Sequence, residues 1–232
     1  MKSKDDFLNS LNEVVELNDM AELDEIKSFN NVYNNSTIYK SIILLLVAKM
    51  EKYVKDSAAD YFDEIIKKNV KAQELPQKFK NELVMRLASQ IENNHINNCN
   101  KEEYKKNIKN ISIAWDDNVT ISNIDVDNKL PMSSHGTTEI ENIYKKLGFD
   151  NILSTIPDIE ILSPLGVTKT FVSVKDKINS LIGLRHNIIH SDATPSITKE
   201  DVNLFINVIT NFVNFIDLKL DESLKNIGAV KK

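Results

Sequence analysis

Residues 37–68 contain neither glycine nor proline, and a run of that length without punctuation is hard to fold as anything but helix. Leu44, Val47, Val54, Ala58 and Ile65 recur along it at helical spacing and draw one apolar stripe. The polar NNS at 34–36 supplies an N-cap in front of it. The rest of the chain follows suit, because only five Gly and five Pro occur among 232 residues of which 41% are hydrophobic. Such a chain can bury a substantial core with long helices and few forced turns. The expected fold class is therefore all-α, a helical bundle within a single domain spanning 1–232.

Further helices are predicted along the chain. Residues 4–30 place Phe7, Leu11, Val14, Val15, Ile26 and Phe29 at mostly helical spacing, with an interruption near Asn18. Pro76 opens a helix through Phe79, Leu83, Leu87 and Ile91 to about Asn93, since proline suits a first turn. Thr138 and Glu141 have capping-box spacing, and the short helix they start stops at Gly148. Pro157, Pro164 and Gly166 predict a connector over 151–168. Helix resumes over 170–190, breaks at SDATPS, and returns as an amphipathic helix over 198–219 before a frayed basic tail at 221–232. Between 94 and 137 Asn and Asp cluster, and β-branched residues alternate with polar ones in VTISNIDVDN. This predicts a mixed surface insertion containing a short hairpin.

Composition also bounds function. The 29 basic and 34 acidic side chains leave a net charge of -5, so any anion-binding surface has to be local or built by oligomerisation. Cys99 stands alone, which offers no intramolecular disulfide and fits a reducing compartment. Charged residues interrupt the opening segment, and the apolar run 42–48 is far short of the roughly 20 residues a membrane span needs. The expectation is a cytoplasmic protein with no membrane partner.

The chemistry concentrates in LIGLRHNIIHSD. Phe171, Val174, Ile178, Leu181, Ile182, Ile188 and Ile189 outline an apolar stripe, and Arg185 projects only about 20° from Ile178. Glu51 lies on the stripe of the long helix. An inward Arg and an inward Glu on two helices would relieve each other's desolvation, as a structural ion pair or as part of a site. His186 and His190, at i and i+4, are about 40° apart and would grip one metal ion if Asp192, His135 or Cys99 completed the set. No HExxH and no paired CxxC supports that, so neither metal nor cofactor is assigned. His135, in MSSHGTTE, reads as a loop residue before a helix cap or as a solvent-facing imidazole near the site. Trp115 reads as insertion packing, and KEEYKKNIKN and KMEKYVKD as solvated helix faces. Lys40, one turn before Leu44 on the stripe of Glu51, extends an anion-binding rim.

An Arg followed at once by a polar residue and five positions later by a His, late in a helix that precedes a final helix, resembles the R-x4-H signature of the HEPN superfamily. The string STIYKSIILLLVAKMEKYVKDS is similar to the first core helix of the HEPN group that includes the RiboL-PSP and MAE types. The resemblance covers 37–68, the short helix ending in LGF, and 170–219, and leaves 94–137 unmatched. It implies a HEPN-like bundle with metal-independent endoribonuclease activity, two copies of the motif meeting across a homodimer. The role it suggests is that of the toxin in a bacterial toxin-antitoxin or phage-defence pair, with RNA as substrate and a cognate antitoxin as partner.

Within that resemblance the residues acquire roles. RNA carries its own nucleophile, the 2′-hydroxyl, so the site needs a proton-transfer group and a cation rather than a metal. His190 would move the proton, because imidazole titrates near neutral pH, and Arg185 would clamp the phosphate with its planar fork of donors. His186 and Asn187 would orient the phosphate or the imidazole. In a regular helix His190 projects about 140° from Arg185. Either the helix end unwinds, or Arg from one subunit works with His from the other. The alternative is a non-catalytic HEPN-like module that binds a nucleotide or a partner protein, with Arg185 purely structural.

Overall fold

The computed structural model describes residues 1–21, 32–96, 101–121, 124, 130, 132, 135–162, 169–194 and 196–228. Among them the chain forms α1 (Lys2–Met20), α2 (Val32–Lys67), α3 (Gln77–Ile96), α4 (Lys101–Trp115), α5 (Thr137–Lys146), α6 (Val174–Ser191) and α7 (Lys199–Asn226). One two-stranded sheet, β1 (Ile159–Leu162) and β2 (Lys169–Val172), joins α5 to α6. The protein is an all-α, HEPN-like bundle.

The axis is α2, whose 36 residues span roughly 54 Å at 1.5 Å per residue. It packs against α1, α6 and α7, while α4 lies on α3 and α5 bridges α2, α3 and α6. Along it Ile43, Val47, Met50 and Ile65 are fully buried, while Leu44 and Leu45 are partly buried against the same core. Three tyrosines fix the register of this packing. The Tyr53 hydroxyl donates to the Val213 carbonyl at 3.0 Å, Tyr61 shares a hydrogen bond with Ser223 at 2.8 Å, and Tyr144 of α5 shares one with Ser57 at 2.8 Å. Burial pushes all three phenols above their ordinary titration range, because an ionised oxygen there would lose its water.

Several element boundaries differ from the pattern reading. Helix α2 begins at Val32 and runs through the NNS segment rather than being capped by it. Helix α1 ends at Met20; Asn18 is buried and its amide donates to Asn203 at 2.9 Å, so a residue read as an interruption is a tie to α7. Ile26 and Phe29 lie outside the described residues. The predicted capping box at Thr138 is not formed: Gly136 is the N-cap of α5 and Glu141 instead meets Lys175 at 3.1 Å. Helix α7 does start with a capping box, Thr198 with Asp201, and it runs past Lys219 to Asn226 because Leu220 and Leu224 carry its buried face further.

The largest departures concern 94–172. Helix α4 occupies Lys101–Trp115, where a mixed insertion was expected, and most of VTISNIDVDN lies outside the described residues. Thr120 makes one antiparallel bridge to Lys71. The hairpin seen among the described residues lies in the segment read as connector and helix start, with Ile159 opposite Val172 and Leu162 opposite Lys169. IEIL and KTFV are short alternating runs, which periodicity alone cannot separate from loop or helix end. Phe171, placed by pattern on a helical stripe, is therefore a strand residue and 68% exposed. Helix α6 starts at Val174, with Ser173 Oγ accepting from the Asp176 amide.

Candidate functional site around Arg185

Helix α6 buries Ile178, Leu181 and Ile188 and so presents Arg185, on the neighbouring part of the same turn pattern, to the seam between α6, α2 and the start of α5. On the facing helix Glu51 is 7% exposed, flanked by buried Met50 and Val54. The expected direct Glu51–Arg185 pair does not form. Between them stands the ring of His135, from the loop ahead of α5: its Nδ1 lies 2.7 Å from Glu51 Oε1 and its Nε2 lies 3.2 Å from an Arg185 guanidinium nitrogen.

The partners fix the protonation pattern of this chain. A guanidinium has donors and no acceptor, and a carboxylate accepts. Nε2 must therefore accept from Arg185, leaving Nδ1–H to donate to Glu51. The ring thus carries a proton on Nδ1 and directs its Nε2 lone pair at Arg185. Glu51 reaches Arg185 through the ring, which spares the buried carboxylate from standing alone.

Local structure holds His135 in place. Gly136 follows it with φ of 141°, a backbone conformation that glycine alone adopts without strain. Thr137 Oγ1 then donates to Asn179 Oδ1 of α6 at 2.6 Å. Lys175 adds contacts to Glu141 and to Ser154 Oγ, each 3.1 Å. The start of α5 is thus fastened to α6, two residues from the imidazole.

The other end of the motif is open. Helix α6 remains regular through Ser191 and closes on Asp192 in the left-handed conformation (φ 46°), so its end does not unwind to bring His190 round to Arg185. His190 and His186 are exposed, with ring centroids 4.4 Å apart. Asn187 contributes its carbonyl, which accepts the Asp192 and Ala193 amides and ends the helix, while its side chain is exposed. Lys40 reaches across from α2, its ammonium 2.6 Å from Asp192 Oδ1 and 3.1 Å from the Asp192 carbonyl. That ammonium holds the Asp192 carboxyl below its usual range. Lys40 is thus a tie across the end of α6 as well as a cation beside it.

Among the described residues no three His, Cys, Asp or Glu side chains are grouped as metal ligands; Cys99 lies outside them. His135 is not beside His186 and His190 but in the Arg185 chain. Trp115, read as packing, is 59% exposed, with the Lys80 ammonium 6.0 Å from its ring centroid. Of the residues singled out by sequence, Glu51 and Arg185 converge through His135, while His190, His186, Asn187 and Lys40 gather at the end of α6. His135 was the underweighted member. It sits in a loop, where no periodicity reports which way a side chain points, and its signal is only that a histidine precedes a glycine at a helix start.

No helix among the described residues is long and apolar enough to cross a membrane. No curated protein and no solved structure is significantly similar to the chain. The sequence model of one family, RiboL-PSP-HEPN, matches residues 5–222, a span that takes in 94–137 as well as both core helices and the R-x4-H segment. With a match that runs nearly end to end over an all-α bundle carrying Arg185 and His190 on its penultimate helix, the chain belongs to the RiboL-PSP-HEPN family.

Proposed function

We propose that this protein is a metal-independent endoribonuclease of the HEPN type, acting in the cytoplasm as a homodimer and serving as the toxin of a toxin-antitoxin or phage-defence pair. The observation that carries the reading is the contrast within α6: Arg185 is held at a helix seam by the Glu51–His135 chain while His190, one and a half turns on, is exposed and has no hydrogen bond or ion pair among the described residues. An oriented guanidinium is what a phosphate clamp requires. An exposed imidazole is what proton transfer to or from RNA requires. Because α6 stays regular to Ser191, the two meet on one phosphate when Arg185 of one protomer faces His190 of another.

The reaction asked of such a site is attack of the RNA 2′-hydroxyl on the adjacent phosphorus. Arg185 offsets the charge that builds on the phosphoryl oxygens, and His190 handles a proton. Purified protein is expected to cut single-stranded RNA in EDTA, leaving a 2′,3′-cyclic phosphate and a 5′-hydroxyl. Arg185→Ala and His190→Ala are each expected to abolish cutting while the far-UV circular dichroism stays unchanged. Full cutting by either variant contradicts the assignment. The non-catalytic alternative draws on the same Arg185–His135 contact, read as structural, and is the outcome if the wild type cuts no RNA and its induced expression is harmless.

A further inference from the structure

We infer that His135 is a second catalytic histidine, the general base that takes the proton from the RNA 2′-hydroxyl, with His190 supplying one to the leaving oxygen; this rests on the nuclease reading above. The orientation is the first reason. A buried carboxylate, Glu51, receives the Nδ1–H at 2.7 Å and leaves the Nε2 lone pair facing Arg185, the arrangement by which a carboxylate fixes the tautomer of a histidine base.

The surroundings are the second reason. The His135 side chain is 52% exposed, so the ring fills no core space. Among the described residues its hydrogen-bond partners are Glu51 from α2 and Arg185 from α6. A phosphate that draws the Arg185 guanidinium off Nε2, which it now meets at 3.2 Å, would free that lone pair for the neighbouring ribose hydroxyl.

The chemistry is the third. In-line transesterification needs a base at the attacking oxygen and an acid at the leaving oxygen, on opposite sides of phosphorus. His135 Nε2 takes the 2′-hydroxyl proton as the 2′-oxygen bonds to phosphorus. The bond from phosphorus to the 5′-oxygen breaks, and that oxygen takes a proton from the His190 imidazolium. The products are a 2′,3′-cyclic phosphate and a 5′-hydroxyl; one histidine gains a proton, the other loses one, and solvent restores both. Because Arg185 and His190 of one helix lie roughly 140° apart, the His190 that serves this phosphate comes from the other protomer and has to stand across phosphorus from His135.

The test is single-turnover cleavage of a short RNA by the full chain, with a matched RNA whose bridging 5′-oxygen is replaced by sulfur, a leaving group that needs no proton. His135→Gln and His135→Asn are expected to slow the normal RNA by about 10²–10⁴-fold with RNA affinity, read by fluorescence anisotropy, unchanged. Sulfur is expected to restore His190→Ala towards the wild-type rate and to leave both His135 variants slow. Wild-type cutting by the His135 variants, a loss of affinity without a loss of rate, rescue of them by sulfur, or unfolding of both overturns the inference and leaves the nuclease reading standing. A wild type that cuts no RNA overturns both.

Discussion

The two ends of the R-x4-H segment differ in everything but the helix that carries them. Arg185 is engaged inside the chain, through His135 to a carboxylate that is 7% exposed. His190 is exposed, with the ring of His186 centred 4.4 Å from its own. The difference teaches that one chain builds and orients the cation but leaves the imidazole facing outward. Helix geometry makes this unavoidable: five residues amount to about 140° of rotation, and the Asp192 cap with its Lys40 tie keeps the helix regular to its end.

The comparison breaks most visibly in catalysis. If both ends serve one phosphate, Arg185→Ala and His190→Ala each lower cleavage by at least about 10²-fold, measured on a defined RNA in EDTA. A variant of either residue that retains activity removes it from the site.

Stability separates the two faces of α6 next. Leu181 is fully buried, and Leu181→Ala is expected to destabilise the protein by about 2–5 kcal/mol in urea unfolding. His186→Ala and His190→Ala should change it by less than about 0.5 kcal/mol, as exposed positions do. A large loss at His190 would show that it serves packing rather than chemistry.

Smaller still is the effect of Glu51→Gln, which keeps the shape but removes the charge. A loss of about 1 kcal/mol is expected, and the nitrogen spectrum of His135 should lose its Nδ1–H preference. Retention of that tautomer in the variant would show that Arg185 alone sets it.

The smallest effect belongs to Lys40→Met. Lys40 lowers the Asp192 carboxyl below its usual range, and a lowered folded-state value gives stability that is present above the unfolded value, about pH 3.9, and lost as pH falls through the folded one. Removing Lys40 should raise the Asp192 midpoint in an NMR titration and flatten the acid-side decline at the end of α6.

What sequence conveys here follows from periodicity. The core face of α2 and of α7 is legible because Val47, Val54 and Ile65, and Val208, Phe212 and Ile216, repeat over many turns and are all buried. The inward direction of Glu51 was legible for the same reason. His135 was not, because a loop residue inherits its direction from tertiary contacts such as Thr137 with Asn179. The β1–β2 hairpin escaped because four-residue strands offer too few alternations, so Thr170 and Phe171 were absorbed into the following helix. Recognition of LRHNIIH supplied the site, and the match over 5–222 supplied the family; neither follows from patterning.

The most direct measurement is subunit complementation. Arg185→Ala and His190→Ala chains, carrying different tags, are co-expressed and the mixed species purified through both tags. In a dimer whose sites combine Arg185 of one protomer with His190 of the other, one of the two sites is intact, and the mixed dimer should recover about half the wild-type rate of RNA cleavage. An inactive mixed dimer, or a wild type that cuts RNA as a monomer, would contradict the account.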